Sequence, residues 1–569
     1  MRKYEIFAEC LDCGHSHAYF PTLTDCPVCK SEWLEARYDY AAIGQVLPEL
    51  VKRRTFDLWR YKELLPVAGA EPNTAQASLC MGEGGTPLIR AANLGMMLGL
   101  PNLFIKDERQ GPTCSFKDRQ AAVSVAALKE AGITEVVLSS TGNVAIAYSA
   151  YAARAGIKLW AFLTSLVPAE KMRETAIYGT QVVKVTASYD QAKKVAAAFA
   201  HQRGYYLERG ARSIPSVEAM KTISFEICEQ LADLLPERRH GSAAWVTPDW
   251  YFQSVSGGLG PLGVQKGFDE LIQMGLIERM PALAAIQAEG CSPMAIAWRE
   301  GKDKAEPIAS PRTHIATLAT GDPGRTYTLL HQRMNAHGGG VFESVSDEET
   351  FRVMHILAKL EGISVEPAAA VAFTGLIKLV RAGVIDPDQV IVVNCTGHTM
   401  PIEGIILGDG WARDVTPGAA QATGAAPPSS EQEGLLAALS RVTDDRFSRV
   451  LIVDDMEDAR RLIRRILQSQ GNYVINEAMN GREAIELARA DPPDLIILDL
   501  MMPELDGFSV LDALQTDPAT AQVPVVVVTA KELTVEEKQR LGGRIHSLMQ
   551  KGEFMSDELL EEVQNLVSM

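Results

Sequence analysis

The sequence predicts a multidomain α/β protein built on parallel sheets covered by helices, and three observations predict it. A chain of 569 residues exceeds what one core normally holds and suggests roughly three or four units. Short β-branched runs alternate with Ala- and Leu-rich stretches from about residue 80 to 410, as in TEVVLSS followed by VAIAYSAYAARAG, TQVVKVTA by YDQAKKVAAAFAHQRG, and later QVIVVNCTG. The alternation stops in PGAAQATGAAPPSSEQEG, rich in Ala, Gly, Pro and Ser, and resumes at RVLIVDD.

Bulk composition bounds the rest. With 47% apolar and 22% charged residues the chain is able to bury sizeable cores. A formal charge of −17, from 72 acids against 55 bases, argues against a general nucleic-acid or anionic-membrane binder. The start MRKYEIFAECLDCG has no apolar signal region, and no run approaches the roughly 18 apolar residues of a membrane helix, so a cytoplasmic protein is expected. In a reducing compartment the nine cysteines are read first as metal ligands or catalytic groups.

CLDC and CPVC place Cys10, Cys13, Cys26 and Cys29 in two CxxC pairs with twelve residues between them. Each turn lets two thiolates face one ion, and two turns close a tetrahedral site, the arrangement of structural zinc. A redox pair or an iron site is the alternative. Cys80, Cys114, Cys228, Cys291 and Cys395 are scattered singly. Four ligands leave no open position, which assigns this ribbon to folding or protein contact.

Three central loops have the shape of anion or cofactor sites. GPTCSFKDRQ holds Lys117 after a Gly-Pro turn. SSTGN, Ser139 to Asn143, lies between the strand EVVLS and a helix starting near Val144, so its amides face an anion at a helix N-terminus. SVSGGLGPLG has enough glycine to wrap a phosphate. Each alone is a weak signal; their joint order is specific.

In that order PTCSFKDR, SSTGNVAIAYSA, VSGGLG and NCTGH resemble the signatures of fold-type II pyridoxal-phosphate enzymes, two open α/β subdomains. LWRYKELLP, GEGGTPL, IQAEGCSP, IATLATGDP and the cysteine-rich ribbon are similar to threonine-synthase segments, across nearly all of residues 1 to 410. The resemblance implies that Lys117 attaches the cofactor and then moves protons, which requires a depressed amine pKa. It implies that Asn143 bonds the cofactor 3′-oxygen, that Ser140 and Thr141 hold the substrate carboxylate, and that Ser256, Gly257, Gly258, Leu259 and Gly260 hold the cofactor phosphate. Thr396 would meet the pyridine nitrogen, and a hydroxyl there favours elimination and replacement over transamination. The implied reaction is threonine-synthase-like, from O-phosphohomoserine; cysteate synthase and threonine, serine or diaminopropionate ammonia-lyases share the logic. Arg109, Arg119 and Lys171 are candidates for a substrate phosphate, or are solvated charges.

After the low-complexity segment, Ala459, Leu462, Ile463, Ile466 and Leu467 recur at helical spacing. RVLIVDD and DLIILDLMMPELDG each end an apolar strand in aspartates, so Asp454, Asp455 and Asp499 gather at one sheet edge, a set of oxygen ligands suited to Mg²⁺. These motifs, with VPVVVVTAKE and LMQKG, resemble the receiver domain of response regulators, a flavodoxin-like (βα)5 fold. The resemblance implies that Asp499 is the phosphoacceptor, Asp454, Asp455 and the Met501 carbonyl hold Mg²⁺, and Thr529 and Lys551 meet the phosphoryl oxygens. Gly552 follows Lys551 where proline is usual, and Leu548 stands where an aromatic is common. No kinase ATP site or phosphodonor histidine motif occurs, so a separate histidine kinase or phosphotransfer partner is expected.

The expected layout is a zinc ribbon at 1–35, a catalytic domain at 36–410, a flexible linker at 411–446 and a receiver at 447–569. The expected protein is a pyridoxal-phosphate lyase or synthase acting on a small amino acid, with a homodimer as the default assembly. The rival from another class is a signalling protein whose cofactor domain only senses an amino acid.

Overall fold

In the computed structural model the described residues are 5–67, 79–140, 142–164, 167–186, 189–239, 241, 243–398, 448–468, 473–531 and 533–550, with 559, 563 and 566. The linker expected at 411–446 lies outside them. The chain divides into two compact units, Met1–Ala91 with Pro101–His355 and Ser364–Pro401, and the remainder.

Among the described residues the first unit holds three sheets. Strands β1 (Ile6–Cys10), β2 (Ser16–Ala18) and β3 (Leu34–Tyr38) pair antiparallel in the order β2-β1-β3 and carry the cysteine turns. β4 (Leu88–Arg90) and β5 (Leu103–Asp107) begin a larger sheet. β6 (Glu135–Ser140), β7 (Lys158–Thr164), β8 (Gln181–Val185) and β9 (Tyr206–Leu207) form a separate parallel sheet ordered β8-β7-β6-β9. β10 (Trp250–Ser254), β11 (Ala282–Ala288), β12 (Gly340–Val345) and β13 (Ile391–Cys395) complete the larger one in the order β12-β11-β10-β13-β5-β4, parallel except for β4.

The inner strands of the larger sheet are enclosed because helices cover both faces of a parallel sheet. β5, β10 and β13 are buried at almost every position. The two subdomain cores are distinct: Val136, Leu138, Leu159 and Ala161 pack with the Lys117–Glu130 and Asn143–Ala155 helices, while Tyr251, Leu283, Phe342 and Val392 pack with the Leu259–Gln273 helix.

The receiver sheet of the second unit is parallel and ordered β15-β14-β16-β17-β18, with β14 (Ser448–Val453), β15 (Tyr473–Ala478), β16 (Leu495–Leu498), β17 (Val525–Thr529) and β18 (Ser547–Gln550). The strand order reverses at β14, and in such sheets the crevice outside the neighbouring strand ends is where ligands bind. Alternate residues of β14 enter two cores, Leu451 and Val453 on one side and Val450 and Ile452 on the other. In the Glu457–Gln468 helix, Ile463, Ile466 and Leu467 are buried as the helical spacing requires. Among the described residues no helix is long and apolar enough to cross a membrane.

Candidate active site and metal centres

Three adjacent strands bring the central loops together. β10, β13 and β5 lie side by side, so the loops after their C-terminal ends share one edge. Lys117 follows β5, Thr396 follows β13, and Ser256 to Gly260 follow β10. The Lys117 loop is tied to the Thr396 loop: the Phe116 amide donates to the Thr396 carbonyl at 3.1 Å and the His398 amide to the Cys114 carbonyl at 3.0 Å. Asp118 braces the same loop, accepting from the Thr113 amide at 2.9 Å and the Thr113 hydroxyl at 2.6 Å.

Lys117 opens the Lys117–Glu130 helix, with its ammonium 4.1 Å from the centre of the Phe116 ring. Burial pushes this amine down to about 8, against the opposing charge of Glu366. About a tenth of the amine is then neutral at pH 7, far more than for an ordinary lysine, as a nucleophilic lysine requires.

Facing this edge is the turn after β6. Gly142, at φ 144°, lets the chain enter the Asn143–Ala155 helix pressed against the Lys171 side chain; a Cβ there would come within 3.0 Å of Lys171 Cδ. Lys171 Nζ donates to Asn143 Oδ1 at 2.6 Å and to Glu366 Oε2 at 3.2 Å, and Asn143 Nδ2 donates to Glu366 Oε1 at 2.6 Å. Lys171 and Glu366 are 1% and 3% exposed, so each compensates a charge that burial would otherwise disfavour. The Ser140 hydroxyl accepts from the Gly142 and Ala145 amides at 3.0 and 3.2 Å, capping the helix. Thr141 lies outside the described residues.

The Ser256–Gly260 loop leads into the Leu259–Gln273 helix, and the free amides of a helix start suit an anion. The Ser256 hydroxyl is 2.6 Å from that of Thr320, and Gly258, at φ 88°, lies so flat on Thr326 that a Cβ would fall 2.4 Å from Thr326 Cγ2. Such a cradle fits a phosphate. Pyridoxal phosphate fits these residues: an amine of depressed pKa, an amide donor, a hydroxyl and an anion cradle at one pair of sheet edges.

The basic candidates separate. Arg119, expected to be solvated or to face a substrate phosphate, is enclosed instead and paired with Glu108 at 2.8 Å and Glu226 at 2.6 Å. Arg109 is held by Asp107 at 2.7 Å and donates to the Ser364 carbonyl at 2.7 Å. Lys171 alone of the three touches a predicted site residue, Asn143. Glu366, Asp118 and Thr320 were missed. Asp118 sat within the quoted SFKDR motif, whereas Glu366, a lone acid before a helix-opening proline, carried no signal beyond that of a helix start.

In the ribbon, ligand atoms of Cys10, Cys13, Cys26 and Cys29 all lie within 4.8 Å of one another. Cys10 and Cys29 sulfurs are 3.5 Å apart and those of Cys13 and Cys26 are 3.7 Å apart. A tetrahedron with bonds of about 2.3 Å has edges of about 3.8 Å, so zinc fits. The two knuckles repeat each other: the Gly14 amide bonds the Cys10 carbonyl and the Lys30 amide the Cys26 carbonyl, each at 2.9 Å.

In the receiver, carboxylate oxygens of Asp454, Asp455 and Asp499 cluster within 4.8 Å, a set suited to Mg²⁺. The Met501 amide donates to Asp499 Oδ1 at 3.1 Å and the Met456 amide to Asp454 Oδ1 at 2.9 Å. Thr529 ends β17, buried, on the same edge. Lys551 lies outside the described residues.

Fold and site together define a fold-type II pyridoxal-phosphate enzyme joined to a receiver. Residues 79–397 match the family described as pyridoxal-phosphate dependent enzyme, and residues 450–564 match the response regulator receiver domain. The chain belongs to the family of pyridoxal-phosphate-dependent enzymes. Threonine synthase of Methanocaldococcus jannaschii is 35% identical over 391 residues, 68% of this chain and 91% of that protein. Threonine synthase of Methanosarcina acetivorans is 33% identical over 69% of this chain and 91% of that protein. The structure of diaminopropionate ammonia lyase from Escherichia coli is similar with TM-score 0.50 at 15% identity, covering 72% of this chain and 98% of that one, a likeness of fold alone. The chain is thus a threonine synthase-like enzyme of the lyase type carrying a receiver domain.

Proposed function

We propose that the catalytic domain, 36–410, converts O-phospho-L-homoserine to threonine, and that the receiver, 447–569, takes a phosphoryl group from a separate kinase. One observation carries the first reading: Lys117, Thr396 and the Ser256–Gly260 loop leave adjacent strand ends opposite Asn143, with the Lys117 amine lowered to about 8 by burial, Glu366 opposing. The match to threonine synthases supports the substrate.

Pyridoxal phosphate, when bound, supplies an electron sink that makes hydrogens near the substrate amine acidic. Lys117 Nζ holds the cofactor, then accepts and returns the migrating protons. Asn143 Nδ2, bonded here to Glu366, would donate to the cofactor 3′-oxygen, with Lys171 holding the amide oxygen. Amides of Ser256, Gly257, Gly258, Leu259 and Gly260 hold the phosphate. Ser140 and Thr141, with the neighbouring amides, would hold the substrate carboxylate. The Thr396 hydroxyl meets the ring nitrogen without lending it a formal charge, which suits loss and replacement of a side-chain group.

Structural zinc is held by the four ribbon cysteines. Mg²⁺ is held by Asp454, Asp455 and the Met501 carbonyl, with Asp499 the phosphoacceptor. The cation would favour the ionised form of Asp499 needed for attack.

The test is product formation from O-phosphohomoserine, threonine, serine and phosphoserine. Threonine and inorganic phosphate from the first alone support the reading. Ammonia released from threonine or serine, with none of the first consumed, replaces it with an ammonia-lyase. Cofactor binding without turnover of any member replaces it with a sensor.

A further inference from the structure

The helix that carries the proposed phosphate cradle is gripped from the ribbon. In the buried middle of the Leu259–Gln273 helix, Lys266 and Glu270 join Lys221 and Glu218 in an enclosed quartet. Lys221 and Glu270 are 2.8 Å apart, Lys266 and Glu218 are 3.0 Å apart, and the pairs Lys221–Glu218 and Lys266–Glu270 close the ring. Two cations and two anions cancel, but each is costly to bury unless every partner stays in place.

Tyr38, the last residue of β3, covers this quartet. Its hydroxyl donates to Glu218 at 2.9 Å, and its ring face lies 4.0 Å from Lys221 Nζ. Tyr40, two residues on, donates to Glu270 at 3.0 Å. From the same strand, buried Glu35 pairs with Arg333, and Arg333 donates to the Leu262 carbonyl, in the first turn of the cradle helix, at 3.2 Å.

Arg333 belongs to the Thr326–Ala336 helix, whose first residue, Thr326, is the floor beneath Gly258. Asp12, between the ribbon's first two cysteines, pairs with Arg325 directly before that floor. The ribbon thus reaches both elements that flank the cradle. An apolar contact tolerates sliding, whereas charge pairs and hydrogen bonds at these distances hold one register.

We propose that Tyr38 and Glu35 are positioning residues for the cofactor phosphate: through the quartet and Arg333 the ribbon sheet, whose strand β3 runs past residue 35 to Tyr38, sets the height of the Leu259–Gln273 helix over Thr326. This rests on the reading of Ser256–Gly260 as the phosphate cradle.

The experiment titrates the full-length apoprotein with pyridoxal phosphate and with pyridoxal, which lacks only the phosphate. Tyr38→Phe and Glu35→Gln raise the Kd for pyridoxal phosphate about tenfold, the scale of one hydrogen bond lost to a buried charge, and leave that for pyridoxal within about twofold. Gly258→Val, which drives a side chain into Thr326, removes the preference for the phosphorylated ligand. Equal weakening of both ligands by the ribbon variants, or no weakening, overturns the proposal while a deleterious Gly258→Val keeps the cradle. A neutral Gly258→Val removes the cradle, and the inference with it. Tyr38→Phe, which keeps the ring and deletes only the hydroxyl, decides the matter if Glu35→Gln does not fold.

Discussion

Lys117 shows how much one buried amine decides. Desolvation lowers it to about 8, well below the ordinary lysine range, while Glu366 pulls the other way. A lysine lowered by burial is charged below its folded pKa and neutral above it, and only the neutral form attacks an aldehyde. The rate at which apoprotein attaches pyridoxal phosphate should therefore rise with pH through a midpoint near 8 and level off above it; a midpoint above about 10, that of an ordinary lysine, would remove the assignment. Lys117→Ala should leave no visible band of lysine-bound cofactor. Glu366→Gln removes the one charge that favours the protonated amine and so moves the midpoint lower. It also strands Lys171, 1% exposed, without its anion, at a cost of about 3 kcal/mol readable from urea denaturation. None of this was legible around Glu366, because a glutamate before a proline reads only as a helix start. Lys117 was legible because its motif recurs in order with others.

At the scale of elements, the parallel strands delivered what their apolar runs promised, and the loops bearing the candidate site residues follow their C-terminal ends. The Asn143–Ala155 helix begins one residue before the expected Val144, since Gly142 takes a positive φ and Ser140 caps the turn. The ribbon was the clearest element in the sequence, because two CxxC turns leave few other ways to arrange four thiolates. One zinc per chain is expected by mass spectrometry of the folded protein, and none in Cys26→Ser. Chelation should then cost the amides of β1 to β3 their protection from hydrogen exchange, since structural zinc contributes folding energy directly. Retention of that protection would assign the ribbon's stability to packing alone.

For the whole molecule, the fusion raises a question of coupling. Acetyl phosphate should label the wild type once and leave Asp499→Asn unlabelled. If the two activities are linked, turnover of the wild type shifts with labelling and that of the variant does not; equal rates throughout mean two independent modules, since coupling requires an element that both sites bias. By itself the sequence determined the alternation of strand and helix, the two metal-ligand sets and the loops that bear Lys117, Asn143, Ser256–Gly260 and Asp499, because local patterning and short motifs are written in neighbouring residues. Only the tertiary structure decided that β10, β13 and β5 are neighbours, that Arg119 is an internal strut rather than a substrate contact, and that Glu366 joins Lys171 to Asn143. Strand order and the pairing of buried charges depend on groups far apart in the chain, and their energies exist only once water has been excluded between them.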